Sequence, residues 1–158
     1  MSYSYVKNKL DSNKIVILDG GNGGELEKVG AKMDKDLWCG KCAIDDPEKL
    51  LKVHENYINS GVDVITTNTY ATTPISMKEY GYENFTNEWN KKSVEIAIEA
   101  ANNSNREIAV AGSVSTSGSW DRLEIDQLKS GFIEHLTILS DAGVDLIILE
   151  AMTSKNAT

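Results

Sequence analysis

An α/β fold built on parallel strands is what this sequence predicts, and more narrowly a TIM-type (β/α)8 barrel of which these residues supply about the first four strands. Three observations lead there. Gly61-Val62-Asp63-Val64-Ile65 returns as Gly143-Val144-Asp145-Leu146-Ile147. Each copy follows an amphipathic helical stretch and opens a short apolar run, the rhythm of repeated βα units. The apolar runs are continuous and end in polar residues, as expected of parallel strands covered on both faces. A closed barrel typically needs about 250 residues. A chain of 158 residues with four strands therefore corresponds to half of one. An open doubly wound sheet is the alternative, but nucleotide fingerprints are missing. Gly21-x-Gly23 is followed by Leu26 where a third glycine would stand, and no glycine loop runs into a Walker lysine.

Taken in order, residues 1–13 are polar and read as an N-terminal arm, with residues 14–158 as the half-barrel domain. Ile15-Val16-Ile17-Leu18 is the first expected strand, buried and β-branched. It stops at Asp19-Gly20-Gly21-Asn22-Gly23-Gly24, where glycines permit positive φ and close approach of the backbone to a ligand. Glu25 to Val29 form a short helix that Gly30 ends. Asp46-Pro47 starts the next one, with Asp as N-cap and Pro at the first helical position. Leu50, Leu51, Val53, His54, Tyr57 and Ile58 recur at helical spacing, and Gly61 is the stop. Val64 to Thr67 make the second strand, followed by Asn68-Thr69-Tyr70. A short helix spans about 74–80, and a longer one about 88–101 with Val94, Ala97, Ile98 and Ala101 on one face. Ile108 to Ala111 make the third strand and close on Gly112-Ser113. A Ser/Gly-rich loop, Ser115 to Ser119, leads to Trp120. The helix over 126–142 points Leu128, Phe132, Leu136 and Leu139 inward, and Leu146 to Leu149 form the fourth strand, ending at Glu150. Met152-Thr153-Ser154 reads as the opening of another βα loop.

The formal net charge of −8 disfavours nucleic acid, whose binding needs clustered Lys and Arg. No apolar run spans a bilayer, and the first residues lack a signal-peptide core, so a cytoplasmic location with no membrane partner is expected. Two cysteines do not make a disulfide framework.

Barrel enzymes place catalytic groups at the C-terminal ends of strands. Here those ends carry Asp19, Asn68 to Tyr70, Ser113 and Glu150. Two carboxylates facing one mouth beside a glycine turn can hold a zwitterionic amino acid: the carboxylates take the ammonium, and free backbone N–H groups take the carboxylate. The plain alternative is that Asp19 braces the turn and Glu150 caps the next helix.

These residues resemble the homocysteine S-methyltransferases. Ile17-Leu18-Asp19-Gly20-Gly21 with Glu25-Leu26-Glu27 looks like that family's N-terminal signature. So do Leu37-Trp38, Asp46-Pro47-Glu48 and His54-x-x-Tyr57-Ile58-x-x-Gly61. Thr66-Thr67-Asn68-Thr69-Tyr70, Ala111-Gly112-Ser113-Val114 and Ala142-Gly143-Val144-Asp145 leading into Leu149-Glu150 match its second, third and fourth strand ends. The resemblance runs in register over about residues 14–154.

It implies a barrel that moves a methyl group to the thiol of homocysteine, giving methionine, with zinc held by three cysteines to generate a thiolate. By position, Asp19 and Glu150 resemble the ammonium ligands, and Gly20 and Gly21 line the same pocket. Asn68 and Ser113 belong to the strand-end set. Trp38 and Tyr70 resemble aromatic residues near the substrate and a methyl donor, and an aromatic wall suits a cationic sulfonium or betaine. The implied partners are homocysteine and a methyl donor. The implied zinc cysteines lie beyond Thr158, so no metal ligand and no catalytic group is assignable in this chain, and the fragment alone is expected to be inactive. Gly24 departs from the family, which usually has Thr there.

Cys39-Gly40-Lys41-Cys42 reads as half a zinc site, a redox pair or two incidental cysteines, the last favoured because no second pair exists and the motif follows no strand. His54 lies on the apolar face of its helix and reads as a core histidine. His135 reads as a surface or packing residue. The rival for the chain as a whole is a non-catalytic half-barrel that binds an amino acid, forms a homo-oligomer or associates with a complementary half-barrel.

Overall fold

The computed structural model describes residues 3–118 and 122–152. The expectations for Ser119, Trp120, Thr153 and Ser154 lie outside the described residues.

Seven α-helices, one 3-10 turn and three strands alternate along the described chain. Helices α1 (Tyr3–Asp11), α2 (Asn22–Lys28), α3 (Cys42–Asp45) and α4 (Pro47–Asn59) precede strand β1 (Val64–Thr66). Helix α5 (Pro74–Glu79), a 3-10 turn (Glu83–Phe85) and α6 (Thr86–Asn102) follow. Strand β2 (Ala109–Ser115), helix α7 (Ile125–Ala142) and strand β3 (Leu146–Glu150) complete the order. The sheet runs β1-β2-β3 and is parallel throughout. Val64 pairs with Ala109 and Thr66 with Ala111, while Ala111 pairs with Leu146 and Ser115 with Glu150.

The helix stops act as their sequences dictate. Gly61 and Gly143 adopt φ of 101° and 99°, left-handed values that glycine tolerates without a Cβ penalty. Glu124 and Gln127 close a capping box at the start of α7. Asp46 occupies the N-cap position of α4, but its side chain does not cap. It accepts instead from Lys32 N–H at 2.8 Å and pairs with Lys49 at 2.9 Å. Thr73 does cap α5, accepting from Ser76 N–H at 3.1 Å.

Side chains alternate across the sheet. Ile65 and Val110 face the helical layer with Ile58, Val62, Ala97 and Ala100. Gly112 sits against Ile147, Leu139 and Val144, where an added Cβ would stand 3.0–3.3 Å from their methyl groups, a tight fit. Val64, Ala109 and Ala111 face the other way, where Val6 of α1 covers them. A second core of Leu26, Cys39, Cys42, Leu50, Val53 and Ile96 ties α2, α3, α4 and α6 together.

Three sequence expectations need correction. The first expected strand, residues 15–18, makes only an isolated parallel bridge, Leu18 to Val64. Val16 packs against the core of Val64, Ala109 and Ala111, but Ile15 and Ile17 are exposed, at 80% and 51%. Asp63 brackets the segment: its Oδ2 accepts the Ile17 N–H at 2.9 Å, and both Asp63 N–H and Val64 N–H donate to the Ile17 carbonyl. Past Leu18 the ladder stops because the Asp19 side chain, not its carbonyl, accepts the Thr66 N–H. Second, the polar arm folds as α1. Tyr5 hydroxyl and Lys9 Nζ donate to Asp63 Oδ1 at 2.6 and 2.5 Å, so its polar residues have a buried polar destination. Third, the glycine turn does not use positive φ. Gly20, Gly21, Gly23 and Gly24 are absent from the left-handed region, and α2 begins already at Asn22.

Candidate functional site

The strand ends and the glycine turn enclose a cleft of about 320 Å³. Asp19, Gly20 and Gly21 form one wall, Trp38 another, and Asn68, Tyr70 and Glu150 the rest. Seven of the eight residues singled out from sequence thus share one cleft. Ser113 is fully buried beneath it and reaches it through Glu150, to whose Oε2 its hydroxyl donates. The cleft also takes in Leu18, Asn22, Gly23, Cys39, Thr66 and Thr67. Of these, Thr66 and Thr67 carried a signal, because they close an apolar run. Asn22 drew notice only as part of the glycine turn, and Cys39 only as part of the C-x-x-C pair.

Asp19 follows Leu18, whose pairing with Val64 places it beside the end of β1. Its Oδ2 accepts the Thr66 N–H at 2.8 Å and its Oδ1 accepts the Thr66 hydroxyl at 2.5 Å. A carboxylate has about four acceptor positions, so two remain. Burial pushes the Asp19 carboxyl up to about 6, the Glu150 charge adds to that, and the Thr66 bonds pull against both. Asp19 and Glu150 are therefore close enough to feel one another. Among the described residues, no lysine or arginine pairs with either.

Close packing, not left-handed φ, explains two of the glycines. A Cβ on Gly23 would stand 2.2 Å from the Trp38 ring, and one on Gly20 would stand 2.9 Å from the Tyr57 hydroxyl. Gly21 and Gly24 have open space. Trp38 is 46% exposed, lies against Gly23 and holds φ of 50°, unusual for a bulky residue.

The two cysteines do not fit a zinc site. Cys39 Sγ donates to Asn68 Oδ1 at 3.2 Å, whereas Cys42 Sγ donates to the Lys32 carbonyl at 3.6 Å. Burial pushes Cys39 up to about 12, with Cys42 adding to it, and burial with Asp46 and Asp45 pushes Cys42 up to about 11. Among the described residues no three His, Cys, Asp or Glu side chains converge on a point that would hold a metal.

His54 is fully buried with neither ring nitrogen bonded. His135 is buried too, with Nε2 3.1 Å from Asn90 Oδ1. Neither lines the cleft. A wider hollow of about 650 Å³ separates α5 from α7, lined by Ile75, Lys78, Asp126 and Glu134 among others. It collects no strand-end group and carries ordinary helix-surface residues, so the smaller cleft is the one with chemistry. No helix among the described residues is long and apolar enough to cross a membrane.

A family model described as homocysteine S-methyltransferase matches residues 16–157. Homocysteine S-methyltransferase 2 of Arabidopsis thaliana is 30% identical over 168 residues, covering 88% of this chain and 50% of that protein. The selenocysteine methyltransferase of Astragalus bisulcatus is 30% identical over 176 residues, 91% of this chain and 52% of that protein. The metallated crystal structure of the homocysteine methyltransferase MmuM from Escherichia coli superposes with a TM-score of 0.81 at 26% identity, over 94% of this chain and 58% of that one. The chain spans about half the length of the curated relatives it matches.

Proposed function

The chain belongs to the homocysteine S-methyltransferase family, and from that premise we propose that it forms the amino-acid-binding half of a barrel that methylates homocysteine to methionine. One observation carries this: two neighbouring carboxylates, Asp19 and Glu150, line one cleft without a cationic partner among the described residues. An ammonium group supplies the charge they lack. Thr66 orients Asp19, and Ser113 orients Glu150. Gly20 and Gly21 approach the amino acid without side chains, and their free N–H groups suit its carboxylate. Trp38 and Tyr70 form the wall beside the homocysteine substrate and a cationic methyl donor. In the transfer, the bond from methyl to sulfur forms as the bond from methyl to donor breaks, and the thiol proton is lost. Selenocysteine shares the same amino-acid end, so a cleft that reads this end accommodates the acceptors named for both kinds of relative.

Among the described residues the zinc implied by the family finds no fitting ligands, and in this reading its cysteines belong to the other half of the barrel. Residues 14–158 then form the first half of the barrel domain, with a cytoplasmic location expected from composition. A parallel sheet is normally covered on both faces, and exposed Ile15, Ile17 and Leu149 mark where further barrel structure fits. The same exposure favours association as the second reading, a non-catalytic half-barrel that pairs with another. Sedimentation of the purified chain distinguishes a monomer from such an assembly.

Titration with L-homocysteine and with 4-mercaptobutyrate tests the binding reading. The second compound keeps the thiol and carboxylate but lacks the ammonium. Binding of homocysteine at least ~30-fold tighter is expected, the scale of an unpaired buried charge. Equal binding of the two would remove the carboxylate pair from the site.

A further inference from the structure

The cleft has a wall held in an unfavourable conformation, and the sequence motif left without a role explains how. Trp38 has φ of 50°, a region that bulky residues rarely enter unless surrounding contacts impose it. On its own carbonyl it is tied by Asp34 N–H at 2.7 Å. Asp34 Oδ1 in turn accepts from Asp36 and Leu37 N–H, both at 2.9 Å, which tightens the loop ahead of Trp38. On the other side stands Cys39. Its carbonyl accepts from Asn68 Nδ2 at 2.8 Å, and its thiol donates to Asn68 Oδ1 at 3.2 Å. Both ends of one amide are thus engaged by one residue. Asn68 and Cys39 are both buried, at 4% and 3% exposure, so water does not compete. The thiol stays protonated, pushed up to about 12 chiefly by burial, and so remains a donor.

We propose that Cys39 and Asn68 are positioning residues: their reciprocal clasp fastens the loop carrying Trp38 to the end of β1 and so sets the Trp38 wall of the cleft. Asn68 then acts on the ligand through Trp38 and not as a direct ligand. Cys39 serves as a hydrogen-bond donor, in place of the metal or redox roles its motif suggests. The consequence for binding rests on the homocysteine reading of the cleft. The consequence for Trp38 does not.

The test isolates Trp38 emission as the difference between each variant and the same variant carrying Trp38→Phe. Cys39→Ala and Asn68→Ala should both raise acrylamide quenching of Trp38 about twofold or more. Cys39→Ser, whose hydroxyl can donate to Asn68 Oδ1, should restore the parent value. In the complete enzyme, the two alanine variants should raise the homocysteine KM about tenfold with kcat within twofold, a loss of binding and not of chemistry. Unchanged quenching in Cys39→Ala, the milder substitution, overturns the clasp even if Asn68→Ala fails to fold. Failure of Cys39→Ser to restore quenching also overturns it, since packing and not donation would then be at work. Altered, rescued quenching with an unchanged KM upholds the clasp and rejects the homocysteine reading of the cleft.

Discussion

The carboxylate of Asp19 takes both hydrogen-bond donors of Thr66, the backbone N–H at 2.8 Å and the hydroxyl at 2.5 Å. One acidic residue of the glycine turn is thereby locked to the end of β1 while half its acceptor capacity stays open. This separates bracing from binding: Asp19 does the first visibly and keeps the means for the second.

Asp19→Asn keeps the size but removes the charge. In the complete enzyme we expect the homocysteine KM to rise about 30-fold or more, the cost of unpairing a buried ammonium. Steady-state kinetics decide it, and an unchanged KM would exclude Asp19 from the site.

The pH profile follows from the same group. Burial, with Glu150 beside it, pushes Asp19 up to about 6. An ammonium ligand needs the carboxylate ionised, so its affinity should be full above pH 7 and decline as pH falls through 6. Thr66→Val deletes one of the bonds that favour the charged form. Its inflection should move to higher pH in a binding titration, and an inflection that stays put would show that the Thr66 hydroxyl does not tune Asp19.

Two buried histidines make the fold acid-sensitive. Burial lowers His54 and His135 to about 4 from an ordinary 6.5. The unfolded chain therefore binds more protons between those values, and stability should fall as pH drops from about 6.5 to 4. Asp19, shifted upward, opposes this between about 4 and 6. His54 has no hydrogen-bond partner to lose among the described residues, so His54→Leu should flatten the slope of urea-unfolding free energy against pH. A slope equal to that of the parent would mean that His54 does not titrate with unfolding.

Asp63 acts at lower pH. Burial would raise its carboxyl, but hydrogen bonds from Lys9, Tyr5 and Ile17 together hold it down at about 2. Its contribution is present above about pH 4 and lost as pH falls toward 2. Asp63→Asn should raise the midpoint of acid unfolding and speed amide exchange in residues 3–11, because α1 loses its anchor. Unchanged exchange there would show that apolar contacts of Val6 hold α1 alone.

Adjacent glycines should respond oppositely to alanine. A Cβ on Gly23 meets the Trp38 ring, and one on Gly24 meets nothing within 4 Å. Gly23→Ala should cost about 1–3 kcal/mol of stability as overpacking does. Gly24→Ala, inside α2, should be neutral or gain up to about 1 kcal/mol. Chemical denaturation compares them directly.

Much of the cleft's lining was legible because parallel βα units deliver strand ends to one edge: Asn68 and Tyr70 follow β1, Glu150 ends β3, and Asp19 follows the bridge at Leu18. Roles within the cleft were less legible. Asn68 looks like Asp19 in sequence, a polar residue after an apolar run, yet its amide is occupied by Cys39. Cys39 looked incidental because no second cysteine pair exists and its motif follows no strand, and an acceptor 29 residues away leaves no local signal.

The repeated Gly-Val-Asp unit shows where local and distant information divide. Gly61 and Gly143 turn the chain left-handed after α4 and α7, and that outcome is local: only the sterics of a missing Cβ are involved. Pro47 at the start of α4 and the capping box at Glu124 are likewise short-range. By itself the sequence determined these ends, the strands β1, β2 and β3, and the order of helices between. The aspartates of the same unit depend on distant partners. Asp63 brackets Ile17 N–H and Asp145 brackets Val110 N–H, each at 2.9 Å. At β3 the bracket sits beside a continuing ladder. At residues 15–18 the Asp19 carboxylate takes the next N–H, that of Thr66, so one bridge remains. Docking of α1 on Asp63 and the left-handed Trp38 were also decided only by the tertiary structure. The reason is physical: backbone sterics act within a few residues, whereas a buried donor or acceptor takes whichever partner the packed chain brings within reach.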